Sequence, residues 1–228
     1  MLIAATTAVA VLAASTPLLS RPLVELPPVT ITISVAPDIS PSLVKRVLRE
    51  ATEIWRPAGV TFDWRRGALE VVPYARMSET GPYRSATPRI VIGHGRGMAL
   101  GAWSMPLGWI VFDDVSTPEQ DIYLSYSNAF RLLELSRDSV GFLERMPRAE
   151  KEELLGRAMG RALAHEIGHY LLASKAHGVS GLMKARHTAA ELFGLERVRF
   201  QVDAEERAAI AARLAPALMA RRQSLLEQ

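Results

Sequence analysis

Two histidines and a glutamate lie within five residues of this 228-residue chain, in the pattern His165-Glu166-Ile167-Gly168-His169. On a helix, residues four apart lie on the same face, so both imidazoles can bind one metal ion. Glu166 points to one side of that pair, where its carboxylate can hold a water molecule without binding the metal itself. This combination is typical of zinc sites that activate water.

The residues around this pattern predict that it lies in a buried helix. No charge other than that of Glu166 occurs between Ala162 and Ser174. Two histidines and a glutamate are costly to bury unless something pairs with them, and a metal ion is such a partner. Apolar residues recur at three- and four-residue steps, as on the buried face of a helix: Leu154, Leu155, Ala158, Met159, Ala162, Leu163, Ile167, Tyr170 and Leu171.

A catalytic zinc ion needs a third protein ligand and one open position. His177 is the nearest candidate, but a continuous helix would carry it about 12 Å beyond His169. The sequence therefore predicts that the chain breaks and folds back, although no glycine lies between the two histidines to ease the break. Glu191, in a short helix predicted from Ala189 onward, is the alternative third ligand. His187, or the absence of a third ligand, stays open as well.

The run from His165 to Met183 resembles the metzincin clan of zinc peptidases, above all its matrixin-like members. The pattern of that family is H-E-x-x-H-x-x-G-x-x-H, followed by a turn that contains methionine. His165, Glu166 and His169 match it directly. Ser180-Gly181-Leu182-Met183 resembles the methionine turn, so the resemblance implies that Met183 forms an apolar floor beneath the metal and is not a ligand.

Two positions depart from the pattern of that family. Leu172 stands at the family's glycine position, and Lys175 stands at the position of its third histidine. A lysine cannot replace histidine as that ligand, so His177 fits the resemblance only if the loop carries two extra residues.

The rest of the chain predicts a mixed α/β, or α+β, fold. Alternating residues in 29–35 and 60–64 predict two strands, and the helix between them, capped by Ser40-Pro41, favours a parallel pair. Residues 89–93 and 108–112 predict further strands, whereas 119–146 give only a hint of a short helix. A long C-terminal helix is predicted from Asp203 to Leu225, with one apolar stripe.

The resemblance implies a metzincin-like zincin domain with a twisted, mainly parallel sheet and an antiparallel edge strand beside the active-site helix. In that family the edge strand accepts the substrate backbone as an added strand. Leu100 to Trp103 is the candidate for this edge, and the alternative is that it forms an ordinary hairpin arm.

Residues 1–20 are uncharged and mostly small or apolar, which predicts a signal peptide or, alternatively, an N-terminal membrane anchor. Residues 21–28 then form a linker, and 29–228 a single catalytic domain. The protein is accordingly predicted to be exported (secreted or periplasmic) or anchored to the membrane by residues 1–20.

Composition excludes several function classes. The chain has no cysteine, so disulfides, thiolate metal ligands and a cysteine nucleophile are excluded. A net charge of +3 with scattered basic residues argues against nucleic acid as a partner. His94 is interpreted as part of a solvated turn, and Asp113-Asp114 as a cap or solvated loop in preference to a calcium site.

These observations predict a zinc-dependent endopeptidase, favoured as a monomer, that cleaves peptides or proteins with metal-activated water. Zn²⁺ is held by His165, His169 and His177, and Glu166 is the general base. One alternative is a gluzincin-like regulatory peptidase with Glu191 as third ligand. Another is a non-catalytic, zinc-stabilised binding domain, and a third is a structural protein without metal.

Overall fold

The computed structural model describes residues 26–67, 87–95 and 105–226, with side chains as far as residue 216. The strands are β1 Val29–Val35, β2 Phe62–Arg66, β3 Arg89–Gly93, β4 Gly108–Phe112 and β5 Pro118–Ser125. The helices are α1 Pro41–Trp55, α2 Tyr126–Leu135, α3 Arg137–Val140, α4 Arg148–Leu172, α5 Ala189–Phe193 and α6 Ala204–Leu226. Single 3-10 turns occupy Arg56–Ala58, Leu143–Arg145 and Val198–Phe200. The predicted signal peptide and the predicted edge strand Leu100 to Trp103 lie outside the described residues.

The five strands form one sheet in the order β2-β1-β3-β5-β4. β1 pairs in parallel with β2 and β3, and β3 pairs in parallel with β5. β4 pairs antiparallel with β5 and is an outer strand of this sheet. The predicted mixed α/β fold, with a mainly parallel sheet and one antiparallel strand, is confirmed.

β5 is the element that the sequence did not reveal. It lies between β3 and β4, in the region of residues 119–146 that resisted interpretation. Only Ile122 and Leu124 mark its buried face, since Asp121 and Tyr123 alternate with them on the other face. Arg89 on β3 pairs with Asp121 through two hydrogen bonds, so the strand is held partly by polar contacts across the sheet that no apolar pattern reports.

Helices α1 and α4 pack closely against each other and against the apolar face of the sheet. Ser40 accepts a hydrogen bond from the Leu43 N–H and caps α1, as predicted. Trp55 at the end of α1 is fully buried and donates its indole N–H to the Ala164 carbonyl of α4 at 3.1 Å. This bond joins the two helices one residue before the first histidine of the pattern.

Two glycines of α4 allow the close approach of α1. A Cβ at Gly156 would overlap the side chain of Arg46, and one at Gly160 would overlap that of Glu50. At these two points the helices contact each other without an intervening side chain from α4, so α1 and α4 lie close together there.

The C-terminal helix α6 begins where the sequence predicted. Glu206 N–H donates to Asp203 Oδ1 at 2.8 Å, and Asp203 N–H donates to Glu206 Oε2 at 2.9 Å, a reciprocal cap. Ile210 is buried in the core, as is Leu26, which lies within the predicted linker. Within the described residues, no helix combines the length and apolar character required to cross a membrane.

Candidate metal centre

His165 and His169 lie one turn apart on α4, with their Nε2 atoms 3.0 Å from each other. His169 is only 6% exposed, and it is enclosed by the core that α4 forms with the sheet. The long predicted helix therefore brings the two imidazoles together inside the protein.

Backbone carbonyls orient both rings. His165 Nδ1 lies 2.8 Å from the Leu182 carbonyl oxygen, and His169 Nδ1 lies 2.6 Å from that of Ser174. A carbonyl oxygen can only accept, so each Nδ1 carries the proton and each Nε2 presents a lone pair. Two lone pairs 3.0 Å apart repel each other unless a cation lies between them. Nδ1–H to carbonyl bonds of this kind are the usual outer support of metal-binding histidines.

The third histidine reaches the pair because α4 ends abruptly at Leu172. Ala173 takes the left-handed conformation with φ of 49°, and its N–H closes the helix on the carbonyls of His169 and Tyr170. The predicted break thus occurs without glycine, at an alanine. The chain turns back so that one nitrogen from each of His165, His169 and His177 lies within 4.8 Å of the others.

Burial keeps the two helix histidines neutral. It lowers the pKa of His165 to about 4, and neighbouring His169 and His177 lower it further, although the bond to the Leu182 carbonyl opposes this. Burial also lowers the pKa of His169. Both imidazoles are neutral near pH 7, so a metal ion would not have to displace protons from them.

These donors suit zinc. Three neutral imidazole nitrogens are a common ligand set of catalytic zinc sites, in which the fourth position stays open. His177 is exposed, so solvent reaches the group from its side. No cysteine competes to complete a closed structural site.

Glu166 lies beside the histidines and is 8% exposed. Burial raises the pKa of its carboxyl to about 8, and a hydrogen bond from the Ile110 N–H of β4 opposes that rise. Gly108 on the same strand leaves room for this contact, since a Cβ there would come within 3.0 Å of Glu166 Cγ. Strand β4 and helix α4 therefore hold the carboxyl between them.

The outer edge of β4 runs past Glu166. Ser125 N–H donates to the Leu107 carbonyl at 2.9 Å, so these two residues form a hydrogen-bonded pair. Hydrogen-bonded and non-hydrogen-bonded pairs alternate along antiparallel strands, which makes the pairs of Gly108 and Ile110 with β5 non-hydrogen-bonded. The main-chain groups of Gly108 and Ile110 consequently point away from β5. The sequence placed the antiparallel edge at Leu100 to Trp103, outside the described residues; in the part of the chain that is described, β4 has that position.

The predicted methionine turn lies directly under the histidine helix. Met183 is 2% exposed, and its sulfur occupies the space that a Cβ at Gly168 would fill. Gly181 has φ of 74°, a conformation that favours glycine, and the Leu182 N–H donates to the Gln201 carbonyl at 3.0 Å. The same turn thus provides both the apolar contact and the carbonyl that orients His165.

Glu191, the alternative third ligand, is engaged elsewhere. Its carboxylate accepts from the Thr188 N–H at 2.7 Å as part of the cap of α5, and it pairs with Lys184 at 3.2 Å. The Thr188 hydrogen bond, with Lys184, lowers its pKa to about 2. His187 is also separate from the group: it stacks on Phe200 with ring centroids 4.5 Å apart.

His94 and Asp114, which the sequence analysis did not favour as metal ligands, lie outside the metal-binding group found among the described residues. His94 is exposed and lies between Asp38, at 2.8 Å from Nε2, and Ser127, at 3.1 Å from Nδ1. Asp114 accepts from the N–H groups of Ser116 and Thr117, so it caps the loop between β4 and β5.

Sequence reasoning missed the backbone contributions to this site. The carbonyls of Leu182 and Ser174 and the N–H of Ile110 orient the three motif side chains, yet a main-chain group has no residue type that would reveal it. Gly108 was the one available signal, because a glycine within an apolar strand often marks a close approach.

Comparison with known proteins gives likenesses of low sequence identity among solved structures. No protein-family model and no curated protein matches the sequence. Among solved structures, archaemetzincin from Methanopyrus kandleri is similar, at 15% identity and a TM-score of 0.47, over 82% of this chain and 96% of that chain. Myroilysin is similar at 12% identity and a TM-score of 0.30, over 82% of this chain and 83% of that chain. Neither likeness places the chain in a family, so its function is inferred from the site itself.

Proposed function

We propose that this protein is a zinc-dependent endopeptidase, with His165, His169 and His177 as the metal ligands. The observation that carries the proposal is the convergence of three imidazole nitrogens within 4.8 Å, beside a buried carboxyl group. When bound, zinc supplies Lewis acidity, which lowers the pKa of a water molecule towards 7 and polarises a carbonyl group.

The residues of this chain then handle the proton and the substrate. A cation held by the three histidines would favour the ionised form of the Glu166 carboxyl. Glu166 then accepts the proton of the attacking water and passes it to the nitrogen of the leaving amine. The Ile110 N–H holds the carboxyl of Glu166 towards the edge of β4. Carbonyls of Leu182 and Ser174 keep the Nε2 lone pairs of His165 and His169 directed at the metal position.

The substrate class is a peptide or protein segment in extended conformation. The outward main-chain groups of Gly108 and the outward carbonyl of Ile110 can pair with such a segment as an added strand, which places its backbone next to Glu166. We infer a metzincin-like arrangement in which Met183 lies under the helix and the third histidine follows after a loop two residues longer than in matrixins. Export through residues 1–20 remains a prediction.

Zinc binding tests the ligand assignment. Purified protein should bind one zinc per chain, and His177→Ala should weaken that binding strongly in competition with a chromogenic chelator. His94→Gln, a histidine outside the group, is the matched control. If Glu191→Ala weakens binding and His177→Ala does not, the gluzincin-like alternative replaces this proposal.

Hydrolysis tests the reaction. Zinc-loaded protein should cleave peptides from a mixed library, and Glu166→Gln should bind zinc but not cleave. Tight zinc binding with no hydrolysis of any peptide would favour the non-catalytic binding domain instead.

A further inference from the structure

Helix α4 contains a second buried polar group, one turn before His165, that the proposed reaction does not use. The side chain of Arg161 is 0% exposed and that of Glu50 on α1 is 4% exposed. Arg161 Nε donates to Glu50 Oε1 at 3.0 Å, and Arg197 donates to Glu50 Oε2 at 2.7 Å. One Arg161 nitrogen, Nη2, is buried without a hydrogen-bond partner among the described residues.

Stability alone does not account for such a pair. Removing two charges from water costs several kcal/mol for each ion, and apolar residues of similar volume often stabilise a core equally well. A buried ion pair that keeps an unpaired donor therefore points to a role in fixing geometry.

The guanidinium of Arg161 also reaches across to α5. Its Nη1 donates to the carbonyls of Glu191 and Leu192, the latter at 3.3 Å, and Arg157 donates to the carbonyl of Phe193. The last carbonyls of a helix have no partner within it, so two arginines of α4 cap the C-terminal end of α5. The Arg161 guanidinium further lies over the Phe200 ring at 4.6 Å from its centroid.

Residues 182–193 are consequently attached to α4 at both ends. At the near end, the Leu182 carbonyl accepts a hydrogen bond from His165 Nδ1, and Met183 packs directly against Gly168. At the far end, Arg157 and Arg161 hold the carbonyls of α5. The segment that orients the first histidine is thus held in place by the arginine that precedes that histidine by one turn.

We propose that the Glu50–Arg161 pair positions the metal centre: Arg161 holds residues 182–193 against α4, which keeps the Leu182 carbonyl on His165 Nδ1. Arg161 is a positioning residue in this proposal, and it acts through Leu182 and His165. The inference rests on the proposed zinc site, but its effect on the His165 tautomer is independent of zinc.

The first experiment compares Arg161→Met with Arg49→Met in the full chain. Arg49 forms an exposed ion pair with Glu153 between the same two helices, so its loss removes a charge without touching residues 182–193. Arg161→Met should weaken zinc binding by about 10- to 100-fold, the usual effect of losing an outer support of a metal ligand. Arg49→Met should stay within about twofold of wild type.

The His165 tautomer is read in metal-free protein by long-range ¹H–¹⁵N NMR correlation of the imidazoles. Wild type and Arg49→Met should show the proton on Nδ1, and Arg161→Met should show a loss of that single tautomer. A folded Arg161→Met protein with wild-type zinc affinity and an unchanged tautomer would overturn the proposal, because the Gln201 contact to Leu182 would then suffice.

The variant Arg161→Lys distinguishes a positioning role of Arg161 from simple charge pairing with Glu50. It also replaces Arg161→Met in the zinc-binding test if that variant does not fold. A lysine can pair with Glu50, but its single ammonium cannot also cap α5. Its melting temperature should approach that of wild type while zinc binding stays several-fold weaker; full rescue of zinc binding would contradict the proposal. If wild type binds no zinc, the proposed function fails, and the tautomer comparison still decides the inference.

Discussion

The part of helix α4 up to and including Arg161, called here its N-terminal half, engages its polar groups differently from the C-terminal half that follows. In the N-terminal half, the buried Arg161 pairs with Glu50, and Arg46 and Arg49 pair with the more exposed Glu153, so these arginines have carboxylate partners. In the C-terminal half, the Nε2 atoms of His165 and His169 face each other with lone pairs and no donor between them. The first arrangement fixes the helix in place. The second directs two acceptor nitrogens at one point, where a cation can pair with both, and this is how a binding site differs from a structural network.

The largest expected effect is the loss of peptide cleavage when the acid–base group of the C-terminal half is removed. Glu166→Gln keeps the shape of the side chain but cannot take a proton, so peptide cleavage should fall by about 10²- to 10⁴-fold. Zinc content, measured by elemental analysis, should remain at one per chain. The exposed Glu150→Gln on the same helix is the control. An active Glu166→Gln protein would refute the role of this residue.

The next effect is the pH dependence of the metal-free protein. Burial lowers the pKa of His165 from 6.5 to about 4, so between these values the unfolded chain binds a proton that the folded chain does not. The contribution of His165 to stability is therefore complete above pH 6.5 and is lost as the pH drops towards 4, by about 2–3 kcal/mol. The raised pKa of Glu166 acts with the opposite sign between 4.5 and about 8, so the contribution of His165 is measured as a difference between wild type and a His165 variant. Urea unfolding at a series of pH values measures the free energy of unfolding and its dependence on pH.

His165→Gln should remove that contribution, so the free energy of unfolding of wild type relative to this variant should fall by about 2–3 kcal/mol as the pH drops from 6.5 towards 4. Equal profiles for wild type and His165→Gln would show that the burial of this imidazole does not affect stability.

A smaller effect tests the close helix contact in the N-terminal half. Gly160→Val places a side chain where Glu50 and the Val47 carbonyl already lie. Overpacking of this kind should lower the free energy of unfolding by about 1–3 kcal/mol. Glu150→Val introduces the same residue at an exposed position of α4 and should change it by no more than about 0.5 kcal/mol. Equal losses in the two variants would mean that helix propensity, not packing, sets the result.

The smallest effect concerns the exposed ion pair of the N-terminal half. Arg49→Met removes the contact with Glu153, and an exposed pair of this kind contributes at most about 1 kcal/mol. Thermal unfolding in low and high salt should show a slight difference in low salt that disappears in high salt. A loss as large as that from Arg161→Met would mean that exposure does not distinguish the two pairs.

The sequence predicted most of the described strands and helices but not strand β5. Strands β1 and β3 and helix α1 follow from clear alternation or periodicity and from the Ser40 cap. Strand β5 did not, because only Ile122 and Leu124 show its buried face and the acids beside them suggest a loop. The edge position of β4 also could not be predicted, since it depends on pairing with β5.

What the amino-acid sequence determined by itself is the chemistry: histidines four residues apart, a glutamate between them, and a periodic helix that buries all three. Those features are local, because a helical repeat fixes which side chains share a face. The tertiary structure alone decided which distant groups complete the site. Left-handed Ala173 returns His177 to the helix, Leu182 orients His165, and β4 holds Glu166. These contacts join residues far apart in the chain, several of them through main-chain atoms that carry no sequence signal.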